Sequence, residues 1–146
     1  MCKEFMNTKS DLSALVLRVM LGIIFFPHGA QKALGWFGGY GFKATLAHFT
    51  DKMHIPVILA VLAIAAEFLG SIALILGFCT RLAAFGIASV MVVAISMAHA
   101  QNGFFMNWSG TQKGEGIEYH LLVIAIAIAL MIKGGGLFSI DRKISK

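Results

Sequence analysis

The chain has 146 residues, 58% of them hydrophobic and only 13% charged, with a formal net charge of +5. A soluble domain carries about a quarter charged residues, so this chain lacks the polar groups needed to cover its own surface. Disorder, a coiled coil, a nucleic-acid arm and a disulfide scaffold are excluded; a single membrane domain over residues 1–146 remains.

Read in chain order, lysines precede an apolar run within the first 30 residues, which raises the question of a cleaved leader. No small-x-small site follows a short apolar core; the run continues through Pro27-His28-Gly29, so a retained first span over about 12–34 is expected. In the loop that follows, Phe42, Leu46, Phe49 and Met53 recur at helical spacing, with Lys43, Asp51 and Lys52 off that stripe. This pattern predicts a short amphipathic helix in the interface over about 42–53. The second span is expected over 56–77, with Pro56 suited to a first helical turn. Thr80 and Arg81 are nearly all that separates it from the third, over 82–100, so these two form a tight antiparallel hairpin. Phe104, Phe105 and Trp108 then sit at headgroup depth. The fourth span, over 117–132, closes at Lys133 and three glycines. The expected fold is all-α: an antiparallel bundle of four transmembrane helices, with an interfacial helix between the first and second spans.

Basic residues orient the chain. Lys3, Lys9, Arg81, Lys133, Arg142, Lys143 and Lys146 fall on one side, against Lys43, Lys52 and Lys113 on the other. The positive-inside rule then places both termini in the cytoplasm and the long loops outside. Cys2 and Cys79 are not a CxxC pair and land on the reducing side as plain thiols. The scattered positive charge marks span ends rather than a nucleic-acid surface, and the expected surroundings are the lipid bilayer.

Ionisable groups inside hydrocarbon cost about 2.5–3.5 kcal/mol on insertion scales and usually face a partner in the bundle interior. Glu67 lies eleven residues into the second span, roughly 16 Å deep at 1.5 Å per residue. Arg18 is its expected partner. Three readings of Glu67 stand open: an ion pair that fixes helix register, a proton-relay or ligand-binding carboxylate, and a neutral acid facing a lipid-filled gap. His28, Gln31 and Lys32 end the first span, His99 ends the third, and Glu118 and His120 begin the fourth. In an up-down bundle these groups share one depth and form an externally open polar pocket, bordered by Trp36 and Trp108 and floored by Glu67. Pro27 removes the donor for the Ile23 carbonyl and is expected to kink the first helix below His28.

The histidines also have three readings: hydrogen-bonded structural groups, proton exchangers for a polar headgroup, or ligands of haem or a metal. No HxxxH or ExxH pair occurs on any one span, so a metal site is not expected. Glu118 and His120, two residues apart, point in nearly opposite directions on a helix.

Several blocks together resemble the DoxX family of small bacterial membrane proteins. They are Leu17-Arg18, Phe26-Pro27-His28-Gly29-Ala30-Gln31-Lys32, Ala66-Glu67-Phe68-Leu69-Gly70, and Gly77-Phe78-Cys79-Thr80-Arg81. His99 with Asn102-Gly103-Phe104-Phe105, then Glu118-Tyr119 and Leu137-Phe138-Ser139-Ile140-Asp141, follow in the same order. The resemblance implies a four-helix protein of the bacterial inner membrane and a link to quinone-coupled redox chemistry, since relatives include a membrane subunit of thiosulfate:quinone oxidoreductase. Nothing in it carries over to His120. No nicotinamide or flavin fingerprint is present, so electrons would come from a partner subunit or a bound cofactor. The expectation is a partner-dependent subunit, or a homodimer, binding a quinone or similar amphipathic molecule, with haem as the lesser alternative. A small transporter or a membrane scaffold built on a buried Arg–Glu pair is the non-enzymatic alternative. Arg18, His28, Lys32, Glu67, His99, Glu118 and His120 are the candidates for ligand binding or proton relay; no catalytic residue is assigned.

Overall fold

The computed structural model describes residues 6–145, and every regular element among them is helical. Cys2, Lys3 and Lys146, used above for thiols and orientation, lie outside the described residues. Helix α1 runs Leu12–Leu34. It starts where the Asp11 carboxylate accepts from the backbone N–H groups of Ser13 and Ala14, and it ends on Gly35 in the left-handed region at φ 76. Helix α2 (Gly41–Ala47) passes into a π-helical turn, His48–Lys52, so the stripe read at 42–53 is helical.

Helix α3 runs Val57–Leu76, with Pro56 at its N-cap and Gly77 at its C-cap. Helix α4 runs Thr80–Ala94 and continues through a π turn, Ile95–His99, and a 3-10 turn, Ala100–Asn102. It begins two residues before the expected Leu82 because a distant carboxylate caps it: Asp141 Oδ1 accepts from the Cys79 N–H at 2.7 Å, and Oδ2 from the Thr80 N–H at 2.9 Å. Helix α5 runs Glu118–Lys133 and the short α6 runs Ile140–Ser145.

Among the described residues, three helices are long and apolar enough to cross a membrane: Leu12–Leu34, Val57–Leu76 and the continuous Thr80–Asn102. At 16 residues α5 is shorter; it measures about 24 Å against a hydrocarbon core of about 30 Å. It nevertheless packs along α4 and touches α1, while α3 lies between α1 and α4. Phe25 and Leu21 of α1, Leu74 of α3, Ile87 of α4, and Val123 and Leu130 of α5 meet in the core.

Two glycines set the α1–α3 register. A Cβ on Gly22 would stand 2.7 Å from the Ser71 carbonyl oxygen, and one on Gly29 would stand 2.5 Å from the Phe68 Cα. Small residues at these points bring the two backbones into contact, as in close-packed membrane helices. The register puts Gly29 level with Phe68, so α3 extends past the end of α1. One end of the molecule, here the terminal end, holds the start of α1, the α3–α4 hairpin and the segment after α5. The other, the loop end, holds α2, the π turn of α4 and the 103–117 loop.

Candidate functional site

The helix register brings Lys32, in the last turn of α1, onto Glu67 of α3. Lys32 Nζ and Glu67 Oε2 are 2.5 Å apart. Glu67 is 4% exposed. A carboxylate so enclosed needs a cation, because removing it from water costs several kcal/mol even after relaxation. The expected Arg18–Glu67 pair is therefore corrected. Depth counted from the start of each helix assumes that all helices start in one plane. Because α3 overhangs α1, Glu67 lies nearer the loop end than that count gives, within reach of Lys32.

Arg18 serves elsewhere. It is 1% exposed, and all five of its N–H groups meet carbonyl oxygens. Nε donates to Gly135 at 2.8 Å, Nη1 to Leu74 and Ile75 at 2.9 and 2.6 Å, and Nη2 to Leu137 and Phe138 at 3.1 and 3.0 Å. Guanidinium has five donors, so none remains for Glu67 or a ligand. Arg18 caps the C-terminal carbonyls of α3 and ties down the segment after α5.

Around Glu67 the loop end collects several of the remaining candidates. His28 and Tyr119 lie within electrostatic reach of the carboxylate. The Tyr119 ring packs edge-on to His120 at 5.7 Å, and the His120 ring lies 4.1 Å from that of His99 at a 43° tilt. Lys32, Glu67, Tyr119, His120 and His99 thus form one run of polar groups across α1, α3, α5 and the π turn of α4, with His28 exposed beside it. Such π turns inside α-helices recur at functional sites. His120 is 6% exposed; among the described residues its Nδ1 makes no well-formed hydrogen bond, although the Gly116 backbone lies near the ring, and the Tyr119 hydroxyl is buried without a partner. Each such group forgoes about 1–3 kcal/mol unless something hydrogen-bonds to it. Sequence reasoning left Tyr119 off the candidates; its hydroxyl in an otherwise apolar helix was the available signal.

Other candidates fall away from this run. Glu118 Oε2 accepts from the Met106 N–H at 3.2 Å, and its own N–H donates to the Phe104 carbonyl at 2.9 Å, so it folds the 103–117 loop. His99 Nδ1 lies 2.9 Å from the Glu115 carbonyl oxygen. Among the described residues no three His, Cys, Asp or Glu side chains form a metal-binding group.

Above Lys32 the loop end opens into a cleft of about 490 Å3, lined by Gln31, Lys32, Gly38, Gly39, Tyr40, Ala44, Thr45, His48 and Phe49. The sequence placed Trp36 and Trp108 at the pocket border; neither lines this cleft, and they are 55% and 86% exposed. The cleft is bordered instead by α2 and by the glycine turn, whose Gly39 packs directly on the Gln31 backbone. A Cβ at Gly39 would run into the Gln31 Cα and force the two segments apart. A second depression of about 150 Å3 runs between α1 and α5; apart from Tyr119 its lining is aliphatic, from Val16 to Ile24 and from Leu122 to Ile126.

At the terminal end, the Lys133 ammonium 2.6 Å away and the Ser13 hydroxyl hold the Asp11 carboxyl well below the usual carboxylate range.

The DoxX family model matches residues 13–100, from the start of α1 through the π turn of α4. "Putative oxidoreductase CatD" of Bacillus subtilis (strain 168) is 26% identical over 97% of this chain and 93% of its own length. "Inner membrane protein YqjF" of Escherichia coli (strain K12) is 28% identical over 97% of this chain and 98% of its own. No solved structure matches.

Proposed function

The chain belongs to the DoxX family, and from that premise we propose that it is a small membrane subunit of a quinone-linked redox system. In this reading it binds a quinone or similar amphipathic molecule in the cleft above Lys32 and Glu67. One observation carries the reading: Lys32, which lines the cleft, pairs with the buried Glu67 carboxylate, and Tyr119, His120 and His99 extend the polar groups at the same end. A quinone carbonyl needs donors, and its reduction takes up protons; Lys32 and His48 line the cleft, and Lys32 connects it to the Glu67 carboxylate. The family relative named an oxidoreductase supports the redox class.

The same reading makes α5 a fourth span. Residues 116–134 extend it toward bilayer length, and Arg81 and Lys133 bind carbonyls or carboxylate at its terminal end. The relative named an inner membrane protein supports that membrane for this chain. In this reading both termini lie in the cytoplasm and the cleft outside, which the concentration of basic residues at the terminal end supports. Electrons would reach the quinone from a partner subunit. A transporter or scaffold built on an Arg18–Glu67 pair loses its central element, because every Arg18 N–H already has a carbonyl.

The test is equilibrium titration of the purified, lipid-reconstituted protein with a short-tailed ubiquinone. Saturable binding is expected, weakened about tenfold by Glu67→Gln. The same variant is expected to unfold near the wild-type denaturant midpoint, because Lys32 is part-exposed and retains access to water. Absence of saturable binding to the wild type would overturn the reading.

A further inference from the structure

The cleft and the α1–α5 groove lie on one face of α1. Ile24 closes the loop end of the groove and Gln31 opens the cleft; seven residues apart, they fall within about 20° of each other around the helix. His28 stands between them on the same stripe. It is exposed, its aromatic neighbour is Phe25 at 6.2 Å, and among the described residues its ring has no hydrogen-bond partner. His28 is thus an exposed imidazole on a helix whose other exposed side chains are mostly aliphatic, and it stands between the two depressions.

The two depressions differ in chemistry. The groove presents aliphatic side chains beside Tyr119, whose buried hydroxyl has no partner. Of the four seams between the long helices, that of α1 and α5 is the least intimate. The cleft presents the Thr45 hydroxyl, the Gln31 amide and the His48 ring. Its lysine is already matched by Glu67 at 2.5 Å. The cleft is therefore suited to a neutral head with hydrogen-bonding oxygens and poorly suited to an anionic phosphate.

We propose that one molecule occupies both: a neutral quinone ring in the cleft, its hydrocarbon tail crossing His28 and lying in the α1–α5 groove, so that it enters sideways from the bilayer. This rests on the quinone reading above and adds to it the tail site and the route. From Gln31 to Val16 the path follows fifteen residues of α1, about 22 Å, a length that calls for a tail.

The test uses two probes, a ubiquinone with a tail of four isoprene units and the same ring without a tail, on wild type, Met20→Trp and Leu122→Trp. Both positions line the groove and are more than half exposed, so a larger side chain fills the groove without entering the core. Each variant is expected to weaken the tailed quinone about tenfold, the loss that follows when roughly two methylenes stay unburied, and to leave the tailless ring unchanged. A photoreactive group at the tail end should label α1 and α5 peptides. Wild type that binds the tailed quinone, with both variants binding it equally well and no label on α1 or α5, would overturn the groove while sparing the quinone reading. Wild type that binds neither quinone would overturn both. Anionic phospholipid vesicles competing as well as the tailed quinone would make the groove an ordinary lipid site and also overturn the proposal.

Discussion

At the terminal end, charge is matched to backbone; at the loop end, charge and polarity are gathered around open space. Arg18 fills five carbonyls, Arg81 binds those of Met131, Ile132 and Asn7, and Asp141 caps α4. Thr8 bridges the Lys133 carbonyl and the Gly136 N–H. Among the described residues the Thr80 hydroxyl is the buried group at that end without a partner. The loop end holds the Lys32–Glu67 pair, two buried polar atoms without partners, two π turns and the cleft. Buried polar groups that satisfy one another make a lock. Buried polar groups left unsatisfied beside a cavity make a site that something else completes.

The harshest way to break this contrast is Arg18→Met. It deletes five charge-assisted hydrogen bonds and leaves the carbonyls of Leu74, Ile75, Gly135, Leu137 and Phe138 to find new partners. Even if only two of the bonds contribute fully, the loss is about 4 kcal/mol. We expect denaturant unfolding in detergent to show that loss, or no folded protein at all. An Arg18→Met protein of wild-type stability that had lost quinone binding would reverse the roles of the two ends.

Tyr119→Phe sharpens the contrast from the other side. Removing a hydroxyl that has no protein partner takes away a desolvation cost, so the ligand-free variant should be as stable as the wild type or more stable by about 1 kcal/mol. A loss of stability in the ligand-free protein would mean that the hydroxyl is already satisfied within the fold and belongs to the lock.

The two ends also differ in how far they can be read from sequence. Hydrophobic runs gave α1 at Leu12–Leu34 and α3 within a residue of its ends, because burial in hydrocarbon acts on each segment separately. The partners of Arg18 and Glu67 were misread. Glycine contacts at Gly22 and Gly29 set the sliding register of α1 against α3, and neither position announces its level on the other helix. The earlier start of α4 depended on Asp141, some sixty residues away in sequence. Meeting of the span-end histidines was half legible: His99 and His120 touch, while His28 faces outward, since a shared depth does not fix a shared direction. The cleft could not be located from Trp36 and Trp108, because the fold of α2 and its glycine turn decides what borders it.

The mildest perturbation acts on the exposed edge of the lock. Asp11 caps α1 and meets Lys133 across the terminal end, and both contacts favour its ionised form. Its carboxyl is held below the unfolded value of about 3.9. The folded state thus binds fewer protons there than the unfolded chain does. The contribution is fully present above about pH 4 and is lost as the pH falls through the depressed folded value. Asp11→Asn should therefore be slightly less stable than the wild type at pH 7, with the gap closing toward pH 2 in denaturant titrations. High salt should narrow the gap at pH 7, because the pair is solvent-accessible and screened. Because asparagine caps nearly as well as aspartate, an Asp11→Asn protein as stable as the wild type at pH 7 would leave the cap as the whole contribution and would remove the Lys133 contact from the lock.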